Sequence, residues 1–129
     1  MKMVWCTFQL VGFHAYPNPP KEVAYLQHTH RHVFHFKVGV EVHTDNREIE
    51  FITMKKWLVN HLNSHQSDEM EWKNFSCEMI CEEILNLLAM NEPYAHFFPK
   101  HAGDINIKPR CHYVEVSEDG ENGATYTNY

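Results

Sequence analysis

Four histidines fall within eight residues in the stretch His28-Thr29-His30-Arg31-His32-Val33-Phe34-His35, and the chain then runs through Phe36, Val38, Val40 and Val42 on alternate positions. Side chains two apart on a strand leave the same face about 6 to 7 Å apart. Two imidazoles on that spacing can converge on one ion through nitrogen bonds of about 2.0 to 2.1 Å. His30 and His32 meet this requirement. His14 ends an earlier alternating segment on the parity of its apolar residues, and it supplies a third nitrogen if the two segments pair. Three histidines leave one position open, the catalytic form of a zinc site, in which water or a substrate oxygen takes the fourth place. The competing reading is that imidazoles on a core-facing strand are only bonded to backbone, since the chain holds 11 histidines in all. His28 is a further ligand, a partner behind the ligands or neither. His35 and His43 lie on the other parity and read as surface.

The elements that must position these residues follow from periodicity. Residues 3–16 alternate, with Val4, Cys6, Phe8, Leu10, Gly12 and His14 on one face and Trp5, Thr7 and Gln9 on the other. Tyr16-Pro17-Asn18-Pro19-Pro20 ends this strand, because proline removes ladder donors. A second strand is expected from near Tyr25, running through His28 to His43, with Gly39 a candidate bulge. Thr44-Asp45-Asn46-Arg47 reads as the turn after it. Thr53 caps a helix with the stripe Met54, Trp57, Leu58, His61 and Leu62, closed by polar residues 63–68. Ser76 caps a second, with Met79, Ile80, Ile84, Leu87 and Leu88 on one side, ending before Pro93. A short alternation at Ile105 and Ile107, the strand Tyr113 to Ser117, a Gly-containing turn at 118–123 and Ala124 to Asn128 give a closing hairpin. The order ββααββ defines an α+β domain over residues 1–129, a four-stranded antiparallel sheet with two helices on one face.

Composition narrows the function classes. A chain of 129 residues with 43% hydrophobic content is one globular unit, and no run of about 18 apolar residues is present to cross a bilayer. Met1-Lys2-Met3-Val4-Trp5-Cys6 lacks the continuous apolar stretch of a secretory signal, so a cytoplasmic protein is expected. The four cysteines form no CxxC pair and read as free thiols, with Cys77 and Cys81 in the core. A net charge of −6 without any Lys/Arg cluster argues against nucleic acid. A small-molecule ligand is the remaining expectation.

Taken in order, the motifs resemble those of the 6-pyruvoyltetrahydropterin synthase and 6-carboxytetrahydropterin synthase family. The matching pieces are Leu10-Val11-Gly12-Phe13-His14, then His30-Arg31-His32 with its valine-rich continuation, Ile49-Glu50-Phe51 with Lys55-Lys56, Phe75-Ser76-Cys77-Glu78-Met79, Val114-Glu115-Val116-Ser117-Glu118, and Tyr126. The resemblance implies the tunnelling fold, whose sheets join into oligomeric barrels, a hexamer or similar, with sites between subunits. It implies zinc on His14, His30 and His32, and a pterin, purine or nucleotide ring anchored by Glu118, with Ser76 as a further polar contact. A carboxylate suits such a ring because it accepts two parallel bonds from adjacent N–H and amino donors. The expected substrate is a reduced pterin resembling dihydroneopterin triphosphate.

The chain departs from the family in its proton-transfer groups. The family's nucleophilic cysteine precedes the paired histidines, whereas Glu22-Val23-Ala24-Tyr25-Leu26-Gln27 has none. Its Asp-His pair has only Asn60-His61, His65 or Asp68 as stand-ins, and Arg31 replaces the glycine between the ligands. Glu22, His28 and His61 are the substitute candidates for acid/base work. Two functions follow: a zinc-dependent lyase with an altered proton-transfer set, or a non-catalytic oligomer that binds or sequesters the ring.

Overall fold

In the computed structural model, which describes residues 1–63, 70–89 and 110–129, the first alternating segment is strand β1 (Lys2–His14). It pairs antiparallel with β2 (His30–Val42) along its whole length, from Lys2 opposite Val42 to His14 opposite His30. The ladder is unbroken, so the bulge expected at Gly39 is absent. Gly39 instead faces Trp5 in register, and a Cβ there would stand 3.4 Å from the Cβ of Tyr113. The strand expected from near Tyr25 is present as β2 but starts only at His30. Lys21–Gln27 forms 3-10 turns behind Pro20, whose φ of −54° suits a helical start, and the Val23 N–H donates to the Pro20 carbonyl at 3.0 Å.

Two further strands follow β2 outward in the sheet. Separated from it in sequence by both helices, β4 (His112–Glu118) pairs antiparallel with β2, and β5 (Asn122–Thr127) pairs antiparallel with β4. A two-residue strand, β3 (Met70–Glu71), lies parallel to β1 at the opposite edge, giving the order β3-β1-β2-β4-β5. The expected four antiparallel strands are therefore present, with a short fifth that no periodicity over two residues could announce. The chain is α+β.

One face of this sheet carries the core. Phe8, Phe36, Val38, Val40, Val114 and Val116 meet Met54 and Leu58 of helix α1 (Phe51–Asn63) and Ile80, Cys81, Ile84 and Leu88 of helix α2 (Cys77–Ala89). Alternation puts these strand residues on one side, and both helices cover that side. The stripe read for α2 is corrected at Met79, which is 51% exposed, while Cys77 and Leu85 take buried places. The start of α1 is corrected too: Glu50, not Thr53, caps it, its carboxylate accepting from the N–H groups of Ile52 and Thr53 at 3.2 and 3.1 Å. Ser76 does cap α2, its Oγ accepting the Met79 N–H at 3.2 Å.

The ends of the sheet are tied by polar groups. At the end away from the histidines, buried Arg110 donates to Glu48 at 2.7 Å and to the Glu41 carbonyl at 2.8 Å. The β4–β5 turn has positive φ at Asp119 (57°) and Gly120 (72°), the hairpin signature that an Asp-Gly pair provides. Among the described residues no helix is long and apolar enough to cross a membrane. The closing residues 64–68 with His65 and Asp68, the alternation at Ile105 and Ile107, the expected helix end before Pro93, and the segment Tyr94 to Gly103 with His96 and His101 lie outside the described residues.

Candidate metal centre

The pairing of β1 with β2 sets His14 directly opposite His30, with His32 opposite Gly12 one pleat further in. Three imidazoles therefore meet on the helix-covered face at one end of the sheet. Ring centroids are 4.6 Å apart for His14 and His30, 4.9 Å for His30 and His32, and 5.3 Å for His14 and His32. One nitrogen from each lies within 4.8 Å of the other two, so the cluster can hold a metal ion. Phe34, fully buried, packs edge-on against His14 and closes the inner side.

The proton of each ring is fixed by what its Nδ1 touches. His14 Nδ1 is 2.8 Å from the Phe75 carbonyl, His30 Nδ1 is 2.8 Å from the His28 carbonyl, and His32 Nδ1 is 2.7 Å from Asp119 Oδ2. A carbonyl or carboxylate oxygen only accepts, so each Nδ1 must be the donor. The neutral ring then presents a bare lone pair at Nε2. The buried Nε2 atoms of His14 and His32 have no hydrogen-bond partner among the described residues. Glu118 reaches both, Oε1 standing 2.9 Å from His14 Nε2 and Oε2 standing 3.4 Å from His32 Nε2. With the protons on Nδ1, these contacts set lone pair against lone pair, a repulsion that a cation held by the three histidines would relieve.

Electrostatics keep the site ready for a cation. Burial holds the His14 imidazole below its ordinary value, opposed by the Phe75 carbonyl and Glu118 and aided by the rings of His30 and His32. A histidine so disposed is neutral at pH 7, the form that ligates. The bond from His32, and then the Val33 N–H, hold Asp119 below the usual carboxylate range.

A cavity of about 520 Å³ opens beside the cluster, lined by His14 and His30. Tyr16, Leu26, Phe75 and Met79 give it apolar walls, and Ser76, Glu78 and Glu118 give it polar ones. Glu118 thus touches both the histidines and the cavity. Ser76 caps α2 and also faces this space.

The other sequence candidates stand elsewhere. Glu22 is in the 3-10 segment, and His28 follows that segment, lending its backbone carbonyl to His30. His61 stacks on Trp57 of α1 with ring centroids 5.0 Å apart. None of the three lines the cavity.

Two residues escaped the sequence reading. Cys77, read only as core, also borders the cavity, with Sγ 4.0 Å from Glu118 Oε1. Burial, and after it the Glu118 charge, push its thiol up to about 12, so it stays protonated at neutral pH. From its sequence position Asp119 reads only as part of a turn. The signal for it was the Asp-Gly pair just past Glu118, since β4 pairs Glu118 with Phe34 and so brings the next residue to the start of β2. No protein-family model matches this chain, and no curated protein matches it.

Proposed function

We propose that this chain is a zinc-binding protein of the 6-pyruvoyltetrahydropterin and 6-carboxytetrahydropterin synthase type, which takes a reduced pterin or a related purine-like ring into the cavity beside its three histidines. The observation that carries this is the proton arrangement: three Nδ1 atoms committed to oxygen acceptors and the opposite nitrogens left for one ion. Neutral imidazoles in a set of three fit zinc. When bound, zinc would polarise a hydroxyl or carbonyl oxygen of the ligand. Glu118 accepts the ring's N–H and amino donors, Ser76 adds a hydroxyl, and the apolar walls take its faces.

A second reading, a binder that holds the ring without turning it over, is favoured by the proton-transfer groups. No thiol precedes His30 in the segment where the family has one, and the Cys77 thiol near Glu118 is held protonated. General acid/base groups typically supply 10²- to 10⁴-fold in rate. Among its described lining residues the cavity also has two carboxylates, Glu78 and Glu118, and no Lys or Arg, which suits a ring better than a triphosphate tail. Assembly into a homo-oligomer is part of the proposal. It is supported by β5, an edge strand that is almost wholly exposed, and by the sheet face that carries no helix among the described residues, where Trp5 is 55% exposed beneath the Lys37 ammonium.

The test is incubation of the zinc-loaded protein with dihydroneopterin triphosphate, with product analysis, beside calorimetric titration with a pterin and with guanine. Turnover that depends on zinc selects the lyase. Saturable ring binding without turnover selects the binder. Absence of both turnover and ring binding contradicts the proposal.

A further inference from the structure

We propose that Asp119 is the positioning residue of the metal centre, fixing the His32 proton on Nδ1 and aiming Nε2 at the shared ion. This rests on the metal-centre reading above. Of the three rings, His14 and His30 are oriented by backbone carbonyls, of Phe75 and His28, which no substitution removes. Among the described residues, His32 alone of the three has its Nδ1 met by a side chain, Asp119 Oδ2 at 2.7 Å.

That side chain is itself held by the residue after His32. Asp119 Oδ1 accepts the Val33 N–H at 3.0 Å, and the Asp119 N–H donates to the Val33 carbonyl at 2.8 Å. Backbone and carboxylate are thus clipped to one point of β2, so the oxygen facing His32 has little freedom. The left-handed backbone at Asp119, φ 57°, is one that Asp and Asn adopt more readily than other side-chain-bearing residues. Asn nonetheless cannot replace it. Both carboxylate oxygens accept, from Val33 and from His32, whereas an amide has one acceptor and one donor. An Asn here must leave the Val33 N–H unpaired or face its own N–H toward Nδ1, which moves the ring proton to Nε2 and removes the ligating lone pair. An anionic acceptor behind the ring also raises the basicity of the nitrogen that meets the metal.

The experiment is zinc affinity by competition with a chromogenic chelator, on the unsubstituted chain and on Asp119→Asn and Asp119→Ala. Loss of such a partner lowers metal affinity about 10- to 100-fold, and that loss is the result expected for both variants. Affinities within about twofold of the unsubstituted chain, in variants whose circular dichroism is unchanged, would overturn the proposal. A merely structural role would lower Tm and leave the affinity of the folded protein alone.

Long-range ¹H–¹⁵N spectra of the histidine rings supply a second readout that does not depend on a variant folding. In the metal-free unsubstituted chain His32 is expected with its proton on Nδ1, and zinc is expected to shift its Nε2. A proton on Nε2, or zinc on Nδ1 of His32, would overturn the role of Asp119. If the unsubstituted chain takes up no zinc, the metal-centre reading falls, and the metal-free ring spectrum still decides whether Asp119 sets the tautomer.

Discussion

An imidazole binds a metal only through a nitrogen that carries no proton, so the position of three protons decides whether His14, His30 and His32 are ligands or packing. All three protons are drawn to Nδ1 by oxygen acceptors, leaving Nε2 of His14 and His32 buried without a hydrogen-bond partner among the described residues. His30→Ala or His32→Ala removes one arm of three, and bound zinc should fall to a small fraction of that in the unsubstituted chain, read by elemental analysis. Glu118→Gln separates two roles. It keeps the residue's size and removes the charge that a donor-rich ring would use, and a hydrogen bond to a charged group is worth about 1.5 to 3 kcal/mol. Pterin affinity should drop about 10- to 100-fold while zinc stays bound, measured by calorimetry and metal content on one sample. The histidine cluster was legible in the sequence because alternation alone fixes which side chains share a face. Asp119 was not, because its partner His32 lies 87 residues away and only the β2–β4 pairing joins them.

Helix starts show where local chemistry is readable and where it is not. Ser76 is a preferred capping residue and was found where α2 begins, its Oγ on the Met79 N–H. Ser76→Ala should lower stability by about 1 kcal/mol, within the usual range for a lost cap, measured by urea unfolding of the metal-free chain. The start of α1 was misplaced because Glu50 does a job usually given to Ser, Thr, Asp or Asn. Its carboxylate accepts from two N–H groups and from the Thr53 hydroxyl, so Thr53 is held by the cap and is not the cap itself. The strand expected from near Tyr25 overlaps the end of the 3-10 segment because alternate histidines begin just after it, while the prolines before the segment set a helical entry instead. These differences leave the metal centre in place. His14 and His30 are brought together by an unbroken ladder whose register is fixed by thirteen residues of core-facing alternation.

Across the described residues, the buried core lies on the helix-covered face and a buried ion pair ties the end of the sheet opposite the histidines. There Arg110 and Glu48 form a buried pair, their side chains 4% and 9% exposed. Burial pushes Glu48 up, but the bonds from Arg110 and the His43 N–H outweigh it and leave the carboxyl below its usual range. Glu48→Ala removes the carboxylate that faces the buried guanidinium, and loss of one partner of such a pair costs about 3 to 5 kcal/mol, read as a fall in Tm. His112 gives the fold a pH dependence of its own. Burial, with Arg110 next, lowers its imidazole to about 4, against the Asn128 bond that raises it. Above pH 6.5 both folded and unfolded states are neutral there and its contribution is complete. Between 6.5 and about 4 the unfolded chain takes up a proton that the folded chain refuses, so stability falls with pH. The Tm of the metal-free chain should decline through that window, and less steeply in His112→Gln. The most direct test of the central claim is the zinc content of the purified chain after equilibration with one equivalent of Zn²⁺ and removal of unbound metal. The account predicts close to one zinc per chain, lost in His32→Ala; a chain that retains no metal would contradict it.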